Sequence, residues 1–258
     1  MFIAEIKFIS RQQAATQELA SAIWDYACAL YRQGQIAHEY SISKSGSKIR
    51  LHCLLPERCS LESHFHDRRG KAALRCVTKL VSRRPARSVI GEADETPPAC
   101  SCRSRSSLHL FTHMFDDSSP LACGACGRPV PFYRLSALDI RTREFLLSWQ
   151  SDYQACDRLF ISSGFGEMWA YRQMSRLDSG LSKDGRELCA QVEAKLHIPV
   201  FYYLHKYWGR SQAIECKRLC PGCSKPWLLT KPQEFFDFRC EACRLLSSKA
   251  VDFPTKRN

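Results

Sequence analysis

The sequence predicts an α+β protein with a ferredoxin-like N-terminal unit, a helical middle region and a C-terminal zinc ribbon. Three observations lead to this prediction. Up to residue 92, strand-like and helix-like patterns alternate in the order β-α-β-β-α-β. The middle of the chain has apolar residues at helical spacing, and the segment from residue 213 onward contains two Cys-x2-Cys pairs. We therefore divide the chain into four segments: a ferredoxin-like α+β domain at 1–92, a cysteine-rich metal-binding insert at 93–135, a helical region with a closing strand at 136–212, and the zinc ribbon at 213–258.

The N-terminal elements are predicted from their side-chain periodicity. Phe2 to Ile9 is rich in Ile and Phe and is typical of a strand. The helix expected at 14–32 has one apolar face, formed by Leu19, Ile23, Tyr26, Ala27 and Leu30. The remaining predicted elements are a hairpin of strands at 39–43 and 48–55, a helix at 66–82 and a strand at 87–92.

The elements of the rest of the chain follow from the same patterns. A strand is expected at 107–114 inside the cysteine-rich insert. A strong helix is expected at 138–160, with an apolar face formed by Phe145, Trp149, Tyr153, Cys156 and Phe160. Further predictions are a helix after Gly166 with Met168 facing inward, a helix at 184–197, a strand at 200–207, ribbon strands at 227–229, 236–238 and 245–250, and a short basic tail.

The composition is that of a globular protein with an excess of basic residues. The apolar share is 45%, and no stretch approaches the length of an apolar membrane helix. Glu5 and Lys7 interrupt the N-terminal apolar run, so we expect a strand there instead of a signal peptide, and a cytoplasmic location. The formal net charge of +12 suggests an anionic partner. A zinc ion held by four thiolates carries a net charge of −2, so two such sites would lower that charge to +8.

The cysteines at the C-terminus have the spacing of a zinc site. Cys220 and Cys223 form one pair, and Cys240 and Cys243 form the second pair sixteen residues later. Two such turns can direct four sulfurs at one ion, and four protein ligands leave no open position for chemistry. We therefore expect a structural zinc here, with four buried unliganded cysteines as the alternative.

A second cysteine group is predicted in the insert. Cys100 and Cys102 are separated by one residue, whereas Cys123 and Cys126 form an ordinary Cys-x2-Cys pair. His109 and His113 lie between the two pairs and could replace one thiolate. We interpret this group as a second zinc site, and the alternative is a flexible loop that happens to contain cysteines.

Basic residues suggest where an anionic partner would bind. The second predicted helix carries a stripe of basic residues opposite its apolar side: Arg68, Lys71, Arg75, Lys79 and Arg83. The ribbon adds Lys225, Arg239 and Arg244, near aromatic residues that could stack on unpaired bases. The plain alternative for the helix is a solvated face, and for Trp227 and Phe238 it is the small core of the ribbon.

The search for an enzyme gives no strong motif. The sequence lacks a Walker loop, a Gly-x-Ser-x-Gly elbow and a His-Glu-x-x-His motif. Polar residues around Asp152, Asp157 and Arg172 could line a cleft, but salt bridges between helices are the simpler explanation.

Several segments resemble an uncharacterised bacterial family that is described as zinc-ribbon-containing and suggested to bind nucleic acid. The resemblance lies in the helical segments 147–159, 177–181 and 185–189, in Tyr202 to Leu204, in the opening Met1 to Ile6 and in both cysteine groups. It covers nearly the whole chain except the segment 82–96. It implies a zinc ribbon and a second metal site, but it says little about mechanism.

These observations favour a cytoplasmic, non-catalytic zinc protein that binds nucleic acid. The alternative is a protein-binding adaptor, or an antitoxin-like or immunity-like inhibitor that docks on another protein, because zinc ribbons serve both roles. A third hypothesis is an enzyme that uses the Asp152, Asp157 and Arg172 region. We expect no membrane partner and identify no small-molecule substrate.

Overall fold

The computed structural model describes residues 1–11, 16–37, 40–93, 97–233 and 235–253. Four parts of the predicted elements lie outside these ranges: the helix start at 14–15, the strand start at Glu39, residues 94–96 of the cysteine-rich insert, and the basic tail at 254–258. The chain folds into two compact units: one comprises 1–101, 116–119 and 128–144, and the other comprises 102–115, 120–127 and the chain from 145 onward. Within the described ranges, every helix is too short or too polar to cross a bilayer.

The first unit has the predicted ferredoxin-like order of elements. Its elements are β1 (Phe2–Ile9), α1 (Thr16–Arg32), β2 (Tyr40–Ser45), β3 (Lys48–Leu55), α2 (Arg68–Leu80) and β4 (Ala86–Glu92). The sheet order is β2-β3-β1-β4, and all neighbouring strands are antiparallel. Short 3-10 helices at Ser63–Phe65 and Phe132–Arg134 lie in the same unit.

The core of this unit follows the predicted periodicity. Alternate residues of β1, which are Ala4, Ile6 and Phe8, are buried. Every second residue of β3 is buried as well. The five apolar residues predicted for one face of α1 are all buried. The Asp67 side chain accepts a hydrogen bond from the Gly70 N–H and caps the start of α2.

The helix α2 ends earlier than its sequence pattern predicts. The backbone becomes extended at Val81, which forms a β-bridge with Ser10. Arg83 therefore lies beyond the helix instead of on its last turn, although it is exposed like the rest of the predicted stripe.

The second unit is built around one mixed sheet. Its strands are β5 (Leu108–Leu110), β6 (Leu121–Cys123), β7 (Val200–Tyr203), β8 (Leu228–Gln233), β9 (Phe236–Cys240) and β10 (Leu245–Ser247), in the order β6-β5-β7-β10-β9-β8. β7 is parallel to both of its neighbours, β5 and β10. Because all four residues of β7 are buried, the strand forms the apolar centre of the sheet.

This sheet joins strands from three of the segments that the sequence analysis separates. β5 and β6 come from the insert, β7 from the helical region and β8 to β10 from the ribbon. The ribbon strands are therefore part of a larger sheet. The parallel pairing of β7 on both sides involves residues far apart in the sequence, and single-sequence patterns carry little information about such pairing.

The helices of the middle region and C-terminal part are α3 (Ile140–Ser162), α4 (Glu167–Ser175), α5 (Gly180–Leu196) and α6 (Gln212–Cys216). The prediction that Phe145 and Met168 face inward was wrong, because both side chains are about half exposed. On α4 the buried residues are instead Ala170 and Met174. α5 starts before the predicted residue 184, because the Ser179 hydroxyl caps it by accepting from the Ser182 N–H.

Candidate metal centres

The C-terminal cysteine group is formed by two turns that flank the ribbon strands. Cys220 and Cys223 lie in a turn closed by a 2.8 Å hydrogen bond from the Ser224 N–H to the Cys220 carbonyl. Cys240 ends β9, and Cys243 lies in the turn before β10. β9 and β10 pair in antiparallel fashion, with Cys240 opposite Leu245, so the turn that contains Cys243 connects two neighbouring strands.

The four sulfur atoms have the spacing that a tetrahedral metal site needs. All four Sγ atoms lie within 4.8 Å of one another, and those of Cys223 and Cys240 are 3.6 Å apart. Zinc–sulfur bonds of about 2.3 Å in a tetrahedron put the sulfurs about 3.8 Å apart. The group could therefore hold a metal ion with little rearrangement.

Each Cys-x2-Cys turn has a residue in the left-handed backbone conformation at the same position. The residues directly after the second cysteines, which are Gly127, Ser224 and Arg244, have φ values of 66°, 56° and 53°. Such values are uncommon for residues other than glycine. The recurrence shows that the three turns share a left-handed backbone at the position after the second cysteine.

The thiols of the C-terminal group differ in acidity. A hydrogen bond from the Lys225 backbone lowers the pKa of Cys223 to about 7. Burial raises the pKa of Cys243 to about 12, and it also raises the pKa of Cys240. Because the metal ligand is the thiolate, a bound cation would favour loss of the remaining protons.

The cysteine group of the insert also comes together. The Sγ atoms of Cys100, Cys102, Cys123 and Cys126 all lie within 4.8 Å of one another, so this group could hold a metal ion too. The Gly127 N–H closes the second turn by donating to the Cys123 carbonyl at 2.7 Å. The single residue between Cys100 and Cys102 does not prevent the four sulfurs from meeting.

Neither histidine of the insert belongs to this group. His109 is fully buried on β5, and burial lowers its pKa to about 4. His113 is exposed, and its Nδ1 accepts from the Phe115 N–H at 3.3 Å. Since four thiol sulfurs are already within range of one another, a histidine is not needed to replace a thiolate.

Glycines inside the turns are site residues that the sequence analysis did not single out. A Cβ atom on Gly222 would lie 2.8 Å from the Cys243 sulfur. A Cβ atom on Gly124 would lie 2.0 Å from the Ser107 hydroxyl oxygen and 2.9 Å from His109 Nε2. The available sequence signal was a glycine between Cys123 and Cys126 and another between Cys220 and Cys223.

Two of the three basic ribbon residues proposed as nucleic-acid contacts form internal ion pairs. Arg239 donates to Glu241 at 2.6 Å and lies 4.1 Å from the ring centre of Phe201. Arg244 donates through two nitrogens to Glu193, each at 3.1 Å. Lys225 is exposed. Of the ribbon aromatics, Trp227 and Phe238 are buried as expected for core residues.

The basic stripe of α2, defined as Arg68, Lys71, Arg75 and Lys79, differs from the ribbon residues. All four side chains are exposed. In the described part of the chain none of them forms an ion pair, nor does the neighbouring Arg83. Lys71 and Arg75 also border a shallow depression of about 480 Å³.

The carboxylates of the middle helices do not form a catalytic arrangement. Asp157 is buried, which raises its pKa, and it accepts from the Met114 N–H at 2.8 Å. Asp152 and Arg172 are exposed. The buried carboxylate therefore satisfies a backbone donor of the segment that follows β5.

Comparisons with known proteins give families without an assigned function. Three family models match successive parts of the chain. They are described as Domain of unknown function (DUF8589) at residues 1–91, Domain of unknown function (DUF2310) at 102–205 and Domain of unknown function (DUF8594) at 209–253. None of these descriptions names a metal or a nucleic acid.

Solved structures match about a third of the chain. Rv0793 from Mycobacterium tuberculosis is 19% identical and covers 38% of this chain and all of its own, with a TM-score of 0.31. A monooxygenase from Streptomyces coelicolor, in complex with nanaomycin D, is 14% identical and covers 38% of this chain and 92% of its own, also with a TM-score of 0.31. Likenesses of this size assign no activity or ligand to the chain.

Two proteins of Haemophilus influenzae, both described as uncharacterised, are 33% identical to this chain over 145 residues, or 56% of its length. The aligned region covers 71% of the first relative and 56% of the second, so it spans little more than half of the longer protein. Because the identity extends over more than two thirds of the first relative, the chain belongs to the same family as that Haemophilus influenzae protein.

Proposed function

We propose that this protein contains two structural zinc ions and binds nucleic acid without catalysing a reaction, in the cytoplasm. Zinc is the ion that best suits a closed tetrahedral set of four thiolates, and the residues present fit it. When bound, the zinc ions would hold the turns of β5 to β10 together. With four protein ligands each, they would leave no open position for a substrate.

The basic stripe of α2 is the observation that supports nucleic-acid binding. Its four cations are exposed, lie at helical spacings of three and four residues and lack acidic partners in the described part of the chain. Unpaired cations on one side of a helix suit a row of phosphates, whereas Arg239 and Arg244 are held by acids and contribute less. The proposed contact surface is therefore α2, extended by Arg83.

A salt titration of binding tests this proposal. Fluorescence anisotropy with labelled duplex DNA, single-stranded DNA and RNA would give the affinity between about 50 and 200 mM salt. If four or five phosphates are contacted, we expect the logarithm of affinity for duplex DNA to fall with a slope of about −4. Replacing Lys71, Arg75 and Lys79 with glutamine should make this slope shallower by about 3.

The control is a pair of exposed basic residues on another helix. Lys183→Gln with Arg186→Gln removes two positive charges from α5, neither of which belongs to the stripe. We expect these two substitutions to leave the slope nearly unchanged. Absence of binding to all three nucleic acids at low salt, or equal effects of both sets of substitutions, would contradict the proposal.

A second candidate function is docking on another protein, as an adaptor or inhibitor. The observation that favours it is an apolar cluster at the end of α3 and the start of α4, in which Ile161, Phe165, Met168 and Trp169 are all about half exposed or more. Exposed apolar groups of this kind mark protein contact sites. Purification from the native cell with and without nuclease separates the candidates, because a protein partner would remain after nuclease treatment.

A further inference from the structure

The first unit contains a solvent-open cleft, called the cavity below, that neither the cysteine groups nor the basic stripe uses. Its volume is about 650 Å³, which lies within the range of small-molecule sites. Phe65, Tyr133, Leu138 and Ile140 supply its apolar lining. The rings of Phe65 and Tyr133 are 4.5 Å apart between centres, so one wall is an aromatic pair.

Arg143 is the buried charge of this cavity. Only 5% of it is exposed, although an arginine guanidinium remains protonated in proteins. It donates to Gln33 Oε1 and, at 3.4 Å, to the Leu135 carbonyl, both of which are uncharged acceptors. Its Nε has no hydrogen-bond partner, and in the described part of the chain the residue forms no ion pair. A buried cation of this kind is costly unless an anion compensates it.

The surrounding groups hold the guanidinium in place. Gln33, itself buried, donates from Nε2 to the Phe65 carbonyl at 3.3 Å, which fixes the oxygen that faces Arg143. Burial lowers the pKa of Arg143, and the nearby Asp67 and Asp139 carboxylates oppose this shift. Both carboxylates are engaged as caps, because Asp67 accepts from the Gly70 N–H and Asp139 from the Thr142 N–H, each at 2.8 Å.

We propose that this cavity binds a small organic monocarboxylate, with the carboxylate on Arg143 and the apolar body against Phe65 and Tyr133. Carboxylate oxygens would supply the charged acceptors that the guanidinium lacks and match its planar donors. The starts of α2 and α3 also face the cavity through their capping residues, and helix N-termini favour negative charge.

A single negative charge suits the site better than a dianion. Asp67 and Asp139 already place two carboxylates at the cavity, so a phosphate dianion would meet more repulsion than a carboxylate. The apolar lining adds a contribution only for a ligand with a hydrocarbon part. These two features distinguish the expected ligand from inorganic phosphate.

Titration calorimetry with benzoate and hexanoate tests this proposal, with benzamide and inorganic phosphate as comparison probes. We expect at least one of the two carboxylates to bind, and benzamide and phosphate to bind at least about tenfold more weakly. Arg143→Gln should weaken carboxylate binding by about tenfold or more.

A rim variant keeps the test decisive if Arg143→Gln does not fold. Ser136 is exposed and lines the cavity, so Ser136→Trp should block it and abolish carboxylate binding. The neighbouring Ala137 is exposed but does not line the cavity, so Ala137→Trp should leave binding intact. Failure of both carboxylates to bind at about 10 mM, equal binding of benzamide, or unchanged binding in Ser136→Trp would overturn the proposal.

Discussion

At the residue scale, the cysteine groups depend on a left-handed backbone conformation that residues other than glycine adopt only at a cost in free energy. Ser224 and Arg244 have left-handed φ values although they carry side chains. Such a conformation costs roughly 1–2 kcal/mol for each residue. Metal binding at the adjacent cysteines would offset this cost, because the energy of binding a structural zinc is also folding energy.

Gly222 provides a direct test of the C-terminal group. In Gly222→Ala, the new methyl group would meet the Cys243 sulfur at 2.8 Å, so one of the two turns must shift. If zinc occupies this group, we expect its affinity to fall by about tenfold or more, which is the effect of disturbing residues around metal ligands. Competition with a chromophoric chelator would measure the change.

The matched control for this substitution is Gly164→Ala. A Cβ atom on Gly164 has no neighbour within 4 Å, and its backbone does not have a positive φ. Zinc affinity should therefore remain that of the unmodified protein. Equal affinity in both alanine variants would show that the turn at Gly222 does not constrain the metal site.

At the element scale, local patterns predicted the strands and helices well but not their wider pairing. β1 and β3 match their predicted bounds because their apolar alternation is regular, and the ferredoxin-like order follows from a short hairpin and two helices. The spacing of the cysteines identified both groups because the ligands are close in sequence within each pair. The pairing of β7 with a parallel strand on each side was not predicted, since it joins residues about 40 to 90 positions apart in the sequence.

The contact between α5 and the turn before β10 is a second feature that sequence patterns did not indicate. The Glu193 carboxylate accepts from Nε and from a terminal nitrogen of Arg244 at 3.1 Å each, and from the Val200 N–H at 3.0 Å. One side chain thus joins the helix to β7 and to the turn before β10. The same hydrogen bonds from Arg244 lower the pKa of Glu193, so the carboxylate is ionised at neutral pH.

A double-mutant cycle measures the strength of this link. We expect Glu193→Gln and Arg244→Gln each to lower the free energy of unfolding at pH 7 with the metal sites saturated, and the two changes to be less than additive. The interaction energy should be about 1 kcal/mol, because the pair is two-pronged but partly exposed to solvent.

Glu187→Gln on the exposed side of α5 is the control for this cycle. The Glu187 carboxylate accepts a hydrogen bond from Gln191 of its own helix at 3.3 Å, and it forms no ion pair among the residues that the structure describes. We expect a change below about 0.5 kcal/mol in urea denaturation. An interaction energy near zero between Glu193 and Arg244 would mean that the link does not contribute to folding.

At the scale of the whole molecule, the two units differ in what stabilises them. The first unit buries a continuous apolar cluster from β1, β3, α1 and α2. The second unit relies on short strands, since β5, β6 and β10 have three residues each and β7 has four. Strands of this length give few backbone hydrogen bonds, so we expect metal binding at the cysteine turns to contribute to the stability of this unit.

Removal of the metal should therefore affect the two units unequally. If zinc fills both groups, a strong chelator would withdraw a folding contribution on the order of 10 kcal/mol from each, and the sheet of β5 to β10 should open. The amides of β1 and β3 should keep their protection, because that core contains none of the eight ligand cysteines. Hydrogen exchange followed by mass spectrometry would show fast exchange in β7, β9 and β10 after chelation and recovery after zinc is restored.

Two outcomes would contradict this prediction. Unchanged protection of these strands after loss of all metal would mean that side-chain packing alone holds the sheet. Equal loss of protection in β1 and β3 would mean that the first unit cannot stay folded without the metal.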